Sequence, residues 1–168
     1  MQPPEQEFAE LFRASWARLY RLALAVSGDP GAAEDALQNT FAKVYAHWSR
    51  VRRADNPDAY VRRMLLNEVL GGRRYGFLKQ ERPHARVEPP GATPSPERAV
   101  VEHDAIWAAV RALPPRQRAV VVLRYYEDLS EAEIAEALGC SRGTVKSQAS
   151  AALGALRKVA PDLVREES

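Results

Sequence analysis

The sequence predicts an all-α protein made of two small helical domains joined by a Pro-rich linker. Three observations lead there. Apolar residues recur at three- and four-residue steps in both halves, no stretch alternates apolar and polar residues as a half-buried strand does, and five of the twelve prolines fall between Pro83 and Pro96. With 46% of its 168 residues hydrophobic, the chain can fill two modest cores. The expected divisions are a first domain at 5–82, a flexible linker at 83–97 and a second domain at 98–160.

The first helix is expected over Phe8 to Val26, where Phe8, Leu11, Phe12, Trp16, Leu19, Tyr20 and Ala23 share one face. Gly28-Asp29-Pro30-Gly31 breaks it. Asp29 as N-cap, with Pro30 at the first helical position, then starts a second helix through Ala33, Leu37, Phe41, Val44, Tyr45 and Trp48. Asn56-Pro57 repeats the device for a third helix led by Tyr60, Met64 and Leu65, which Gly71-Gly72 weakens before Arg73-Arg74-Tyr75. Beyond the linker, Pro114-Pro115 suits a helix start. The β-branched run Val120-Val121-Val122-Leu123 is therefore read as helix, with Arg124-Tyr125-Tyr126 continuing the same face.

The segment from Leu129 to Lys146 has its own logic. Ser130 and Glu133 form a capping box that starts a short helix, and the small Ala135 sits where a second helix must approach. Gly139, four residues on, can take the left-handed conformation that turns the chain, and Val145, six further, plugs the second helix onto the first. These offsets describe a helix-turn-helix. Its second helix, about Ser141 to Val159, is expected in a DNA major groove. The side chains available for base edges and phosphates are Arg142, Thr144, Lys146, Ser147, Gln148 and Ser150, opposite a core stripe of Val145, Ala149, Ala152, Leu153 and Leu156. Cys140 reads as a small packing residue in the turn.

The net charge of +2 hides an uneven distribution. Residues 50–82 hold nine basic and four acidic side chains, whereas 1–49 and 83–168 are slightly acidic. The basic, tyrosine-bearing middle suggests a surface for a polyanion. Other function classes are excluded as first readings. No run approaches the roughly 18 apolar residues of a membrane span, and no basic-then-apolar leader opens the chain, so a cytoplasmic protein without membrane contact is expected. One cysteine with His47, His84 and His103 supplies no zinc spacing, and no metal or cofactor is expected. There is no phosphate-binding glycine loop, nucleophile–base arrangement or acidic metal cluster, so the function is expected to be binding and not catalysis.

Three stretches carry a family resemblance: Ala33-Glu34-Asp35-Ala36-Leu37-Gln38-Asn39-Thr40-Phe41, Asp58-Ala59-Tyr60-Val61-Arg62-Arg63 followed by Leu66-Asn67, and Leu113-Pro114-Pro115-Arg116-Gln117-Arg118 running into the helix-turn-helix. Over nearly its whole length the chain resembles the extracytoplasmic-function sigma factors of bacterial RNA polymerase, which keep only sigma regions 2 and 4, and most resembles the SigE-type subfamily. The resemblance implies a promoter-specificity subunit. Its partners would be core RNA polymerase, through the β′ clamp helices and β flap, promoter DNA, and an inhibitory anti-sigma factor. Asp35, Gln38, Asn39 and Phe41 would then contact polymerase. Tyr60, Arg62, Arg63, Asn67, Arg73 and Arg74 would hold the −10 element, with Asn67 at the family position that hydrogen-bonds a flipped-out base. The helix-turn-helix would read the −35 element, where Lys146 and Ser147 match family contact positions.

Three positions depart from the family pattern: Asn39 stands where many relatives carry Glu, and Gln148 and Ala151 where many carry Arg. Gln pairs with adenine and Arg with guanine, so Gln148 implies a shifted −35 preference. The same helix-turn-helix also fits a transcriptional regulator that binds palindromic operator DNA as a dimer.

Overall fold

The structure, a computed structural model, describes residues 4–71 and 97–161. All the regular elements among them are helices, which fall into two compact units. In the first, α1 (Pro4–Ser27), α2 (Pro30–Ala46) and α4 (Pro57–Gly71) pack on one another as a three-helix bundle, with the short α3 (Trp48–Arg52) bracing α2 and α4. The second takes in α5 (Glu97–Ala112), α6 (Pro115–Val121), the first five residues of α7 (Glu131–Leu138) and α8 (Arg142–Val159). Of the linker expected at 83–97, all but Glu97, which opens α5, lies outside the described residues, as do Arg73, Arg74 and Tyr75.

The first bundle follows its punctuation. Gly28 has φ +72°, a left-handed turn that glycine adopts without a Cβ penalty. Asp29 then caps α2 by accepting from the Gly31 N–H at 3.1 Å, and Asn56 caps α4 by accepting from the Ala59 N–H at 3.1 Å. Leu22, Ala23 and Val26 of α1, Leu37 and Val44 of α2, Val51 of α3, and Leu65 and Leu66 of α4 are buried in the core. Ser15 and Thr40, also buried, donate their hydroxyls to the carbonyls of Leu11 and Ala36, so neither costs an unpaired polar group. One expectation is corrected. The second helix stops at Ala46, and Trp48 opens α3. Tyr45 is 56% exposed, at the edge of an aromatic cluster in which its ring meets Phe8 edge-on at 5.1 Å.

In the second unit α8 packs against both α5 and α6. Val120, Val121, Val122 and Leu123 are all buried and helical, as expected, but the last turn widens into a π-helical segment at Val122–Tyr126, with the Glu127 N–H bonding to Val122 O. The widened turn moves Tyr125 and Tyr126 off the buried face, and both are exposed. The turn between α5 and α6 is held by Arg118. Its guanidinium, almost fully buried, donates to Arg111 O at 2.6 Å and Leu113 O at 3.0 Å, satisfying carbonyls that the end of α5 leaves open. Arg118→Met keeps the stem and removes these donors, so urea unfolding followed by circular dichroism should show the second unit destabilised by about 1.5–3 kcal/mol.

Candidate nucleic-acid and polymerase interfaces

The helix-turn-helix forms as the spacing predicts. Ser130 and Glu133 close the capping box, with the Ser130 N–H donating to Glu133 Oε2 at 2.7 Å and the Glu133 N–H to Ser130 Oγ at 3.2 Å. Gly139 takes φ +66°, and the Cys140 N–H bonds back to Ala135 O. Ser141 then caps α8, its Oγ accepting from the Thr144 N–H at 3.1 Å. Ala135 and Val145 are buried as expected, and so are Ala149, Ala152 and Leu156, while Leu153 is only half-buried.

The six candidate contacts on α8 do not form one flat face. At about 100° per residue, Ser147 and Ser150 lie opposite the buried stripe, whereas Lys146 and Gln148 flank it on opposite sides. Arg142, Lys146, Ser147 and Ser150 are exposed, but Thr144 and Gln148 are half-buried. Local bonds also occupy the hydroxyls: Ser141 Oγ and Thr144 Oγ1 lie 2.9 Å apart, and Ser147 Oγ donates to Thr144 O at 3.0 Å. In that rotamer Ser147 can offer a partner only its acceptor lone pairs. Lys146 Nζ stands 3.9 Å from Glu131 Oε2. That pairing has no local sequence signal, since the two residues are fifteen apart and meet only once the turn is folded.

On α4, Tyr60, Arg63 and Asn67 follow at i, i+3 and i+7 and share the outer face, with Arg63 and Asn67 exposed and Tyr60 half-buried. Arg62 does not join them. It stands about 200° around the helix from Tyr60, on the side that carries Val61, Leu65, Leu66 and Val69, and it is half-buried. Three exposed arginines of α3 and its end, Arg50, Arg52 and Arg53, precede this helix, Arg52 lying 3.3 Å from Glu7 Oε1, and were legible only as part of the basic count.

On α2, Asp35, Gln38 and Asn39 project together from the exposed face, where Gln38 Nε2 lies 3.4 Å from Glu34 Oε1. Phe41 is a correction. It is 4% exposed and packs on Phe12 at 4.8 Å, Trp16 at 5.7 Å and Phe8 at 6.3 Å, so it is core and not part of a docking face.

Comparison with known proteins assigns the family. A sigma-70 region 2 model matches residues 11–75 and a sigma-70 region 4 model residues 103–156. The RNA polymerase sigma-E factor of Streptomyces antibioticus is 37% identical over 156 residues, covering 90% of this chain and 83% of that protein. The extracytoplasmic-function (ECF) RNA polymerase sigma factor SigL of Mycobacterium tuberculosis is 31% identical over 162 residues, covering 92% of each. The chain belongs to the extracytoplasmic-function sigma factors. As such it directs promoter-specific transcription by RNA polymerase, and the dimeric operator-binding alternative is not favoured.

Solved sigma-factor structures share the fold. The sigma factor RpoE bound to the anti-sigma factor NepR, from Bartonella quintana, matches with a TM-score of 0.73 at 22% identity, over 94% of this chain and 98% of that one. CnrH in complex with the cytosolic domain of CnrY matches with a TM-score of 0.59 at 20% identity, over 98% and 91%. Among the described residues of this sigma factor, no helix is long and apolar enough to cross a membrane. The core position of Phe41 makes a direct expectation. Phe41→Ala should cost about 3–5 kcal/mol in urea unfolding, while Phe41→Leu keeps polymerase capture in a pull-down. Loss of capture by Phe41→Leu at unchanged stability would return the residue to the docking face.

Proposed function

We propose a division of labour in which the first unit of this sigma factor docks on core polymerase and captures melted −10 DNA, while the second reads the −35 duplex. The observation that carries it is the common outer face of Tyr60, Arg63 and Asn67, on a helix inside the one segment with a clear positive surplus. Opening a duplex takes bases out of the stack. An aromatic ring, a planar guanidinium and a hydrogen-bonding amide are the groups that hold an unstacked base. In this reading Asn67 bonds the extruded base, Tyr60 and Arg63 stack on or neutralise the strand, and Arg73 and Arg74 continue the track. Arg62 contributes least, given its place on the inner side of α4.

Asp35, Gln38 and Asn39 form the proposed polymerase-docking set on α2, with Asn39 offering an uncharged contact. On α8, Arg142, Lys146, Ser147 and Ser150 are the proposed −35 contacts, with Thr144 and Gln148 at the margin. The protein acts in the cytoplasm, by binding and not by catalysis. An anti-sigma factor is a further proposed partner, because the amphipathic helices that dock on polymerase offer an inhibitor the same surface.

Run-off transcription with purified core polymerase on genomic promoter fragments tests the whole reading. Promoter-dependent initiation is expected, and its absence together with failure to co-purify with core would sink the proposal. Asn67→Ala separates melting from capture. Losing a base-pocket hydrogen bond worth about 1–1.5 kcal/mol should slow open-complex formation roughly tenfold on duplex templates and much less on premelted ones. An equal loss on both templates contradicts the assigned role.

A further inference from the structure

We propose that Glu131 is a positioning residue for Lys146 and sets how readily the recognition helix takes hold of duplex DNA, an inference that rests on the reading of α8 as the −35-contacting helix. Glu131 is the first residue of α7, and its Oε2 lies 3.9 Å from Lys146 Nζ across the turn. The two side chains are unequally placed: Lys146 is 68% exposed and Glu131 29%. The carboxylate is therefore the anchored member and the ammonium the one that swings.

Several features hold that anchor. The capping box between Ser130 and Glu133 fixes the first turn of α7 on which Glu131 stands, and a carboxylate there sits at the favourable, positive end of the helix dipole. Glu131 also lines a shallow depression with Arg124, Tyr125 and Asp128. The cation of that group, Arg124, lies over the Tyr125 ring at 5.6 Å from its centroid. Lys146 is thus the cation paired with the Glu131 carboxylate.

The position of Lys146 gives the pair a consequence. Because Lys146 flanks the buried stripe of α8, the direction in which its ammonium is drawn decides what it reaches, and Glu131 draws it toward α7. In a helix-turn-helix complex the first helix crosses the phosphate backbone while the second enters the groove. A carboxylate at the start of α7 therefore competes with DNA for the Lys146 ammonium. An exposed ion pair is weak, so Glu131 tunes binding by a factor of about two to five and does not block it.

The test uses polymerase holoenzyme reconstituted with each variant, with binding to a promoter fragment measured across a potassium chloride series and helicity checked by circular dichroism. Lys146→Ala should weaken binding. Glu131→Gln should tighten it about two- to fivefold and steepen the salt dependence by up to about 0.9 of a logarithmic unit. Glu131→Asp keeps the charge but falls a methylene short of the ammonium, and should behave like Glu131→Gln. On the Lys146→Ala background the gain should vanish. If Lys146→Ala weakens binding but Glu131→Gln does not tighten it, the inference fails and the reading of α8 stands. A gain that persists without Lys146, or a Glu131→Asp protein that matches wild type, overturns it in favour of a general charge effect. If Lys146→Ala leaves binding unchanged, the DNA-contact role of Lys146 falls, and the inference with it.

Discussion

The rotational phase of each helix decides which side chains this small protein can present; the buried apolar stripe sets that phase, and the N-terminal cap fixes where the helix begins. Four helices begin where a side-chain oxygen accepts an otherwise orphan backbone N–H: Asp29 for α2, Asn56 for α4, Ser130 for α7 and Ser141 for α8. Rotating a helix by one residue against its neighbours would turn every side chain by about 100°. In α2 such a shift would bury Asp35 or Asn39 and expose Leu37. The caps and the apolar stripes agree on a single phase, and that agreement puts Asp35, Gln38 and Asn39 on one surface and Tyr60, Arg63 and Asn67 on another.

Much of this was legible in the sequence because it is local. The Asp29-Pro30 and Asn56-Pro57 starts, the Ser130–Glu133 box and the turn at Gly139 each depend on residues within four positions of one another, and each formed as read. What escaped depends on tertiary context. Phe41 was taken as a contact residue because it closes a family motif, yet its burial is decided by Phe8, Phe12 and Trp16, some thirty residues away on α1. The aromatic cluster is closed around Phe41 and leaves Tyr45, on the same helix, exposed at its edge. Arg62 entered the −10 set as part of the Asp58–Arg63 stretch that resembles the family's melting helix, yet it stands on the inner side of α4. In a helix, adjacent residues point about 100° apart, so adjacency is a poor guide to a shared face. The π-helical turn at Val122–Tyr126 and the long-range Glu131–Lys146 pair had no local signal at all.

The buried Arg118 shows a related economy in the second unit. A small helical domain has few ways to satisfy the carbonyls at the end of one helix while starting the next within two residues. Pro114 and Pro115, which carry no N–H, supply a start that leaves fewer orphan donors in need of acceptors, and the Arg118 guanidinium reaches back to serve the carbonyls of Arg111 and Leu113. One cation thus does inside the fold what water would do at an open helix end. It is a structural use of charge in a unit whose outward charge is nearly balanced.

That balance bears on how the protein can act. Residues 83–168 carry eleven basic and twelve acidic side chains. Affinity for duplex DNA comes largely from cations that displace condensed counterions, each adding about 0.9 to the salt slope. One of the few cations on the proposed DNA face, Lys146, is already paired with Glu131. A helix-turn-helix so sparsely charged holds duplex weakly by itself, which suits a subunit that polymerase delivers to the promoter and would handicap a free-standing repressor. The positive surplus lies instead in residues 50–82, where the proposed ligand is a single strand exposed only after melting. That surplus comes from the arginines on either side of α4, which itself carries two basic and two acidic side chains, so in the proposed division the charge available to a melted strand flanks the helix that would hold the extruded base.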